Sequence, residues 1–298
     1  MKPITVLSHG NCYDGYASAY ACRAEYGAEN IDFFWGTYGK PVPELPGGDT
    51  LIVCDFYLTW DRIQQEAQKY AKILCIDHHV TAQKHLQDHI GVHQIGDCLV
   101  EIIFDMNHSG AYLTWKYFFG EASMPNFIKH ISDRDTWQFN MENTKMFHAA
   151  LVSYPMDFKI WDKLFTDQGV VKLIVEGPAC KRYMDQLVQN IIRSSFEIQD
   201  GPHKIAMVNT TIAWSEVGEE LCKKYPEADF SMTYTVHRDY AHMSLRSNNK
   251  NPYAFDVASY AEQFGGGGHR NAAGFQVPAS HITRWLADDP LIKEVVAF

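Results

Sequence analysis

Short apolar runs punctuate the first half of the chain: Ile4–Leu7, Ile31–Trp35, Leu51–Cys54, Ile73–Ile76 and Val100–Phe104. Runs this short and this continuous predict strands buried on both faces, as in a parallel sheet, rather than strands with one wet face. Amphipathic stretches at Ala17–Tyr26 and Trp60–Tyr70 lie between them and predict crossover helices, and the Pro/Gly-rich 41–48 predicts a turn. From Asn107 to Ile131 the period becomes helical, with Ser109 placed to cap a helix over Ala111–Phe119. Residues 155–200 read as mostly helical, with Gly177-Pro178 ending one helix and starting the next. After Asp200-Gly201-Pro202 the alternation resumes. Strands are expected at Lys204–Val208, Phe230–Val236, Ala241–Ser247 and Ala273–Val277, and helices at Ser215–Lys224 and Asp256–Phe264. The pattern predicts an α/β protein of two domains. An N-terminal domain, 1–154, has a mainly parallel sheet with helices on both faces. A helical connector, 155–200, leads to a smaller C-terminal α/β domain, 201–298.

With 298 residues, 46% of them hydrophobic, the chain has enough apolar material to offset the entropy of ordering two cores. No apolar run approaches the roughly 18 residues of a membrane span. The first apolar run is also too short for a secretory signal, so a soluble, cytoplasmic protein with no membrane partner is expected. Seven scattered cysteines, with no C-x-x-C pair, read as free thiols rather than a disulfide or zinc framework. The net charge of −10 argues against a grip on long duplex DNA, where neutralising phosphates dominates affinity. It leaves room for short nucleotides in a local site. The excess acid lies mainly in the first half, where carboxylates can serve as metal ligands.

Three of the early strands run into such groups. Ile4–Leu7 leads to His9 and Asp14, Leu51–Cys54 to Asp55, and Ile73–Ile76 to Asp77-His78-His79. One Asp at a strand end is ordinarily a turn or cap residue, and one His an ordinary surface group. Three successive strand ends of the same chemistry point to a shared crevice, because the carboxyl ends of parallel strands converge. An Asp/His set without companion thiolates suits Mn2+ or Mg2+ before zinc. Two such ions about 3.5–4 Å apart share a carboxylate and activate a water for in-line attack on phosphorus. In the second half, Gly265–Gly268 is flanked by a predicted helix and strand, so a phosphate-binding nest of backbone N–H groups is favoured over a flexible linker.

Cys75-Ile76-Asp77-His78-His79 resembles the signature of the DHH phosphoesterases, a superfamily that includes RecJ-like exonucleases, nanoRNases and cyclic-dinucleotide phosphodiesterases. Phe264–Gly274 resembles the glycine-rich GGGH-x-x-AAG motif of the DHH-associated C-terminal domain, and Ile131–Thr136 falls where the fourth motif supplies a metal-binding Asp. The resemblance spans nearly the whole chain with its motifs in order. It implies metal ligation by His9, Asp14, Asp55, Asp77 and His78, with Asp55 bridging two ions and His79 against the scissile phosphate. Asp133 or Asp135 would be the fourth-motif ligand; both are kept, with Asp133 preferred for its Ile-x-Asp-Arg context. Arg246, Gly266, Gly267, Gly268 and His269 would hold substrate. The common first motif is His-x-x-x-Asp-x-Asp, whereas His9-Gly10-Asn11-Cys12-Tyr13-Asp14-Gly15 carries one carboxylate. Asn11 or Cys12 could supply a replacement ligand, or one ion is weakly held and water-rich.

The implied activity is manganese-dependent hydrolysis of phosphoesters in short oligonucleotides or small nucleotides such as 3′-phosphoadenosine 5′-phosphate. Two ions are expected, with Mg2+ or another divalent ion as the alternative to Mn2+. Cyclic-dinucleotide or polyphosphate hydrolysis is the enzymatic alternative, and a metal-free binding module is the alternative of another class. A homodimer is compatible with either.

Overall fold

Six strands, β1 (Ile4–His9), β2 (Ile31–Gly36), β3 (Gly48–Cys54), β4 (Tyr70–Asp77), β5 (Gly91–Ile95) and β6 (Cys98–Phe104), form one sheet in the order β2-β1-β3-β4-β6-β5. The protein is seen in a computed structural model that describes residues 3–38, 40–248 and 251–286. All pairings in this sheet are parallel except β5–β6. Its central strands are buried on both sides, and their side chains alternate between two cores. Leu7, Leu51, Val53, Ile73 and Cys75 face one core with Ile63 and Leu86, while Val6, Ile52, Cys54, Leu74 and Ile76 face the other with Ala19, Cys22 and Leu113. Helices α1 (Tyr13–Tyr26), α2 (Trp60–Glu66), α3 (Val80–Leu86) and α4 (Gly110–Phe119) supply the covering residues. Ser109 accepts from the Tyr112 amide and caps α4, as its position predicts.

The chain divides into two compact units, Met1–Arg182 and Tyr183–Phe298. The first contains more than the strands and their crossovers. Helices α5 (Asn126–Asp135), α6 (Thr144–Leu151), α7 (Phe158–Leu164) and the start of α8 (Asp167–Ile191) build a third core, in which Phe127, Phe147 and Trp161 are fully buried. Most of the segment read as a connector therefore belongs to this unit, because Trp161, Leu164, Val170 and Leu173 pack into that core.

Helix α8 also runs through Gly177-Pro178 without a break, contrary to the expected boundary. Local signals favour a stop there, but packing overrides them. A β-carbon on Gly177 would stand 2.3 Å from the Met146 carbonyl oxygen of α6, so the glycine is what lets these two helices approach.

In the second unit β7 (Phe196–Asp200), β8 (His203–Asn209), β9 (Phe230–Val236), β10 (Tyr240–Arg246), β11 (Gly267–His269) and β12 (Ala272–Pro278) form a sheet ordered β11-β12-β10-β9-β8-β7. Only β8–β9 is parallel, joined through α9 (Trp214–Lys224). One face packs on α10 (Val257–Glu262), Tyr260 and Trp285, and the other on Val217 and Leu221 of α9. The edge strands β5, β7 and β11 are absent from the hydropathy reading because none carries a continuous apolar run.

Gly177→Ala tests the packing argument by its sign. In an exposed helix this change stabilises by up to about 1 kcal/mol. Here it is expected to destabilise by about 1–3 kcal/mol through overpacking, read from the denaturant midpoint of the first unit. A raised midpoint would contradict the close α6–α8 approach.

Candidate metal centre

β1, β3 and β4 are parallel neighbours, so their carboxyl ends place His9, Asp55 and Asp77-His78-His79 side by side. Ser8 helps fix this junction, donating to the carbonyls of Gly15 in α1 and of Cys54 at the end of β3. Asp14 enters from the first turn of α1, and Asp135 from the last residue of α5. Among the described residues, donor atoms gather in overlapping groups: His9, Cys12 and Asp55; Asp14, His78 and Asp135; and Asp55, Asp77, His78 and His79. Within each group every donor lies within 4.8 Å of the others.

Asp55 is 1% exposed and sits at the centre. Its Oδ1 is 3.1 Å from His78 Nε2, and its Oδ2 is 3.6 Å from His9 Nδ1. Its backbone is left-handed, with φ of 52°, a conformation that Asp tolerates better than most residues but that still stores strain. Burial pushes its carboxyl up, but the close approach of the His78 and His9 rings and the charges of His79 and His9 outweigh burial and hold it well below the usual range. Asp14 goes the other way. Burial, then the nearby Asp55 and Asp135 carboxylates, push it well up, although the Gly110 and Ala111 amides at the start of α4 donate to it at 2.7 and 3.0 Å. Burial lowers the affinity of His78 for a proton, yet Asp55, Asp135 and Asp14 push its pKa up to about 10.

Asp77 has a divided role. Its Oδ1 accepts from the His78 amide at 2.8 Å and lies 2.7 Å from His79 Nδ1, which fixes the His79 ring. Burial opposes a charge on His79, but Asp77 shifts its pKa upward.

The donor set fits divalent cations. Asp55 Oδ2, Asp77 Oδ2 and His9 Nδ1 are buried and make no hydrogen bond. Three carboxylates, Asp14, Asp55 and Asp135, surround a single imidazole at 3.6, 3.1 and 3.4 Å from His78 Nε2. Buried acceptors without donors and crowded like charges are costly unless a cation joins them.

The fourth-motif preference is corrected by this geometry. Asp133 is taken up inside its own loop, accepting from Asn140 N at 2.7 Å, Met141 N at 3.1 Å and Thr144 Oγ1 at 2.6 Å. Asp135 reaches His78 instead. Residues two apart on a helix face different ways, so one of the pair must turn away, and the phase of α5 decides which.

The glycine run is also different from the expected nest. The amides of Gly265 and Gly266 donate to Glu262 and Ala261 at the end of α10, and Gly267–His269 forms edge strand β11 against β12. A β-carbon on Gly266 would lie 2.2 Å from the Gly274 carbonyl oxygen, so close backbone approach demands glycine there. Arg246 ends β10 with its guanidinium donating to Ser215 Oγ at 2.6 Å and to Ser244 Oγ at 3.1 Å. These contacts fix its orientation within the second unit.

Two residues near the metal-type donors lie outside the sequence reading. Gly110 permits α4 to approach, since a β-carbon there would lie 2.6 Å from that of Asp55. Its only sequence signal is its place after the cap Ser109. Tyr38 packs its ring 5.0 Å from that of His9 and 5.5 Å from that of His79, with a buried hydroxyl that makes no hydrogen bond. No spacing rule marks it.

No family model matches the chain. It is 32% identical to uncharacterized protein R106 of Acanthamoeba polyphaga mimivirus over 289 residues, 90% of this chain and 66% of that one. It is 22% identical over 254 residues to oligoribonuclease NrnB of Bacillus subtilis strain 168, 77% of this chain and 59% of the relative. The chain thus spans less than two thirds of each relative. The fold matches that of the DHH domain of a member of a ribosomal-protein family, with a TM-score of 0.59 at 14% identity, over 99% of this chain and 87% of that one.

Asp135→Asn and Asp133→Asn separate ligation from loop closure. The first is expected to weaken Mn2+ binding about tenfold or more in calorimetric titration while leaving thermal stability near wild type. The second is expected to cost about 1–3 kcal/mol of stability with Mn2+ affinity retained. The reverse pattern would restore Asp133 as the ligand.

Proposed function

We propose that this chain, which belongs to the DHH phosphoesterase superfamily, is a divalent-metal-dependent hydrolase of phosphodiesters in short oligonucleotides. The observation that carries the reading is Asp55, a buried carboxylate common to two donor groups, one with His9 and Cys12 and the other with Asp77, His78 and His79. A carboxylate shared in this way is what a two-ion phosphoesterase requires. The sequence relationship to an oligoribonuclease supports the substrate class.

Bound divalent cations, Mn2+ or Mg2+, would neutralise phosphoryl charge and activate water. The protein groups have separable tasks. Asp14, Asp55, Asp77, Asp135, His9 and His78 would hold the cations. His79, positioned by Asp77 at Nδ1, is suited to donate from Nε2 to a phosphoryl oxygen, and Asp77 favours its protonated form. The strained Asp55 backbone is part of pre-organisation, since the carboxylate is already placed before substrate arrives. In the second unit Arg246 is suited to a bidentate contact with a terminal phosphate of the substrate. His269 and the outer edge of β11 are proposed to assist it, with Gly267 and Gly268 in place of a nest.

A panel of di- to pentanucleotides, 3′-phosphoadenosine 5′-phosphate, a cyclic dinucleotide and a polyphosphate, assayed with Mn2+, tests the reading. Release of mononucleotide from the oligonucleotides is the expected result; turnover of none of the four classes would favour a non-catalytic module. Asp55→Asn, chosen because Asn also tolerates the left-handed backbone, is expected to lower turnover about 10³-fold. Arg246→Ala is expected to lose about 1.5–3 kcal/mol on phosphate-terminated substrates, yet hydrolyse bis-nitrophenyl phosphate near the wild-type rate. Equal losses on both would place Arg246 in the chemistry or the fold.

A further inference from the structure

We infer that the Cys12 thiolate is a metal ligand, and that it makes the His9–Asp55 half of the centre a mixed nitrogen, oxygen and sulfur site for a borderline divalent ion. The inference deepens the phosphoesterase reading and rests on the metal centre described above.

Three observations converge. His9, Cys12 and Asp55 bring one donor atom each within 4.8 Å of one another. Two of those residues present buried atoms without a hydrogen bond, His9 Nδ1 and Asp55 Oδ2, and Asp55 is 1% exposed. The Cys12 side chain makes no capping bond to α1, although the residue occupies the N-cap position. Its backbone carbonyl accepts from the Tyr16 amide instead. Asn11, the other candidate for the missing carboxylate, is exposed and has a left-handed backbone, with φ of 56°. The turn at Asn11 delivers Cys12 to the cluster.

The chemistry follows from the donor types. On ligation the Cys12 S–H bond releases its proton to solvent, and the sulfur lone pair enters the coordination shell. A thiolate with an imidazole and a carboxylate favours Zn2+, Co2+ or Fe2+ over Mg2+. The Asp14, His78 and Asp135 group offers two carboxylates and an imidazole, a harder set. The two halves therefore differ in metal preference.

Co2+ titrated into the metal-free full-length protein gives the direct test. Ligation by Cys12 is expected to produce a near-ultraviolet sulfur-to-cobalt charge-transfer band and to protect Cys12 from alkylation, read by peptide mass spectrometry. In Cys12→Ser the band disappears while visible Co2+ transitions from the remaining donors persist. In Cys12→Asp the band is also absent, and the preference for Co2+ over Mn2+ falls about tenfold or more. Co2+ binding by the wild type without the band, or with Cys12 still open to alkylation, overturns the inference. Both readouts are independent of turnover. A band without hydrolysis would refute the proposed activity and leave the thiolate ligand standing, and hydrolysis without a band would do the opposite.

Discussion

Holding like charges together in a buried place is the constraint around which the first unit is built. Asp14, Asp55 and Asp135 all lie within 4 Å of His78 Nε2, where water is scarce and mutual repulsion is strong. The fold answers with directed donors. Two amides of α4 point at Asp14, and two histidines face Asp55. Asp77 Oδ2, and Asp55 Oδ2 with His9 Nδ1 3.6 Å away, still make no hydrogen bond and suit a cation.

Parallel strands make the arrangement feasible. In register, β1, β3 and β4 end together, so three short chain segments far apart in sequence deliver ligands without long loops. The sheet changes direction at β1, with β2 on one side and β3 on the other, and such a switch point leaves a crevice beyond the strand ends. Close approach of α1 and α4 then depends on glycine. A β-carbon on Gly15 would meet the His9 carbonyl at 2.3 Å, and one on Gly110 would meet Asp55. Packing precision at these two positions is thus part of the chemistry.

The second unit uses glycine differently. The run Gly265–Gly268 closes α10 and then pairs with β12, so its small size serves chain reversal and backbone contact more than an anion-binding nest. Arg246 is likewise held in advance. Gly218 leaves room for its stem, and Ser215 and Ser244 orient its head. In the proposed contact with substrate, an arginine so ordered would lose less conformational freedom on binding.

Much was legible in the chain itself. Buried strands announce themselves because both faces must be apolar, so Ile4–Leu7, Leu51–Cys54 and Ile73–Ile76 were readable, and the Asp and His residues at their ends with them. Ser109 was readable as a cap because its bond is local. Edge strands β5, β7 and β11 were not, since an edge needs no continuous apolar run and is defined by its partner. That Asp135, and not Asp133, reaches His78 depended on the phase of α5, a relation between distant segments. The same holds for the unbroken α8, where the space beside Met146 outweighed the local preference of Gly177-Pro178, and for Tyr38 and Gly110. Sequence by itself determined which residue types and strand ends were available, because burial and local capping act on neighbours. Only the tertiary structure decided which of them meet, because close approach, left-handed strain at Asp55 and helix phase are set by segments that the chain alone does not place side by side.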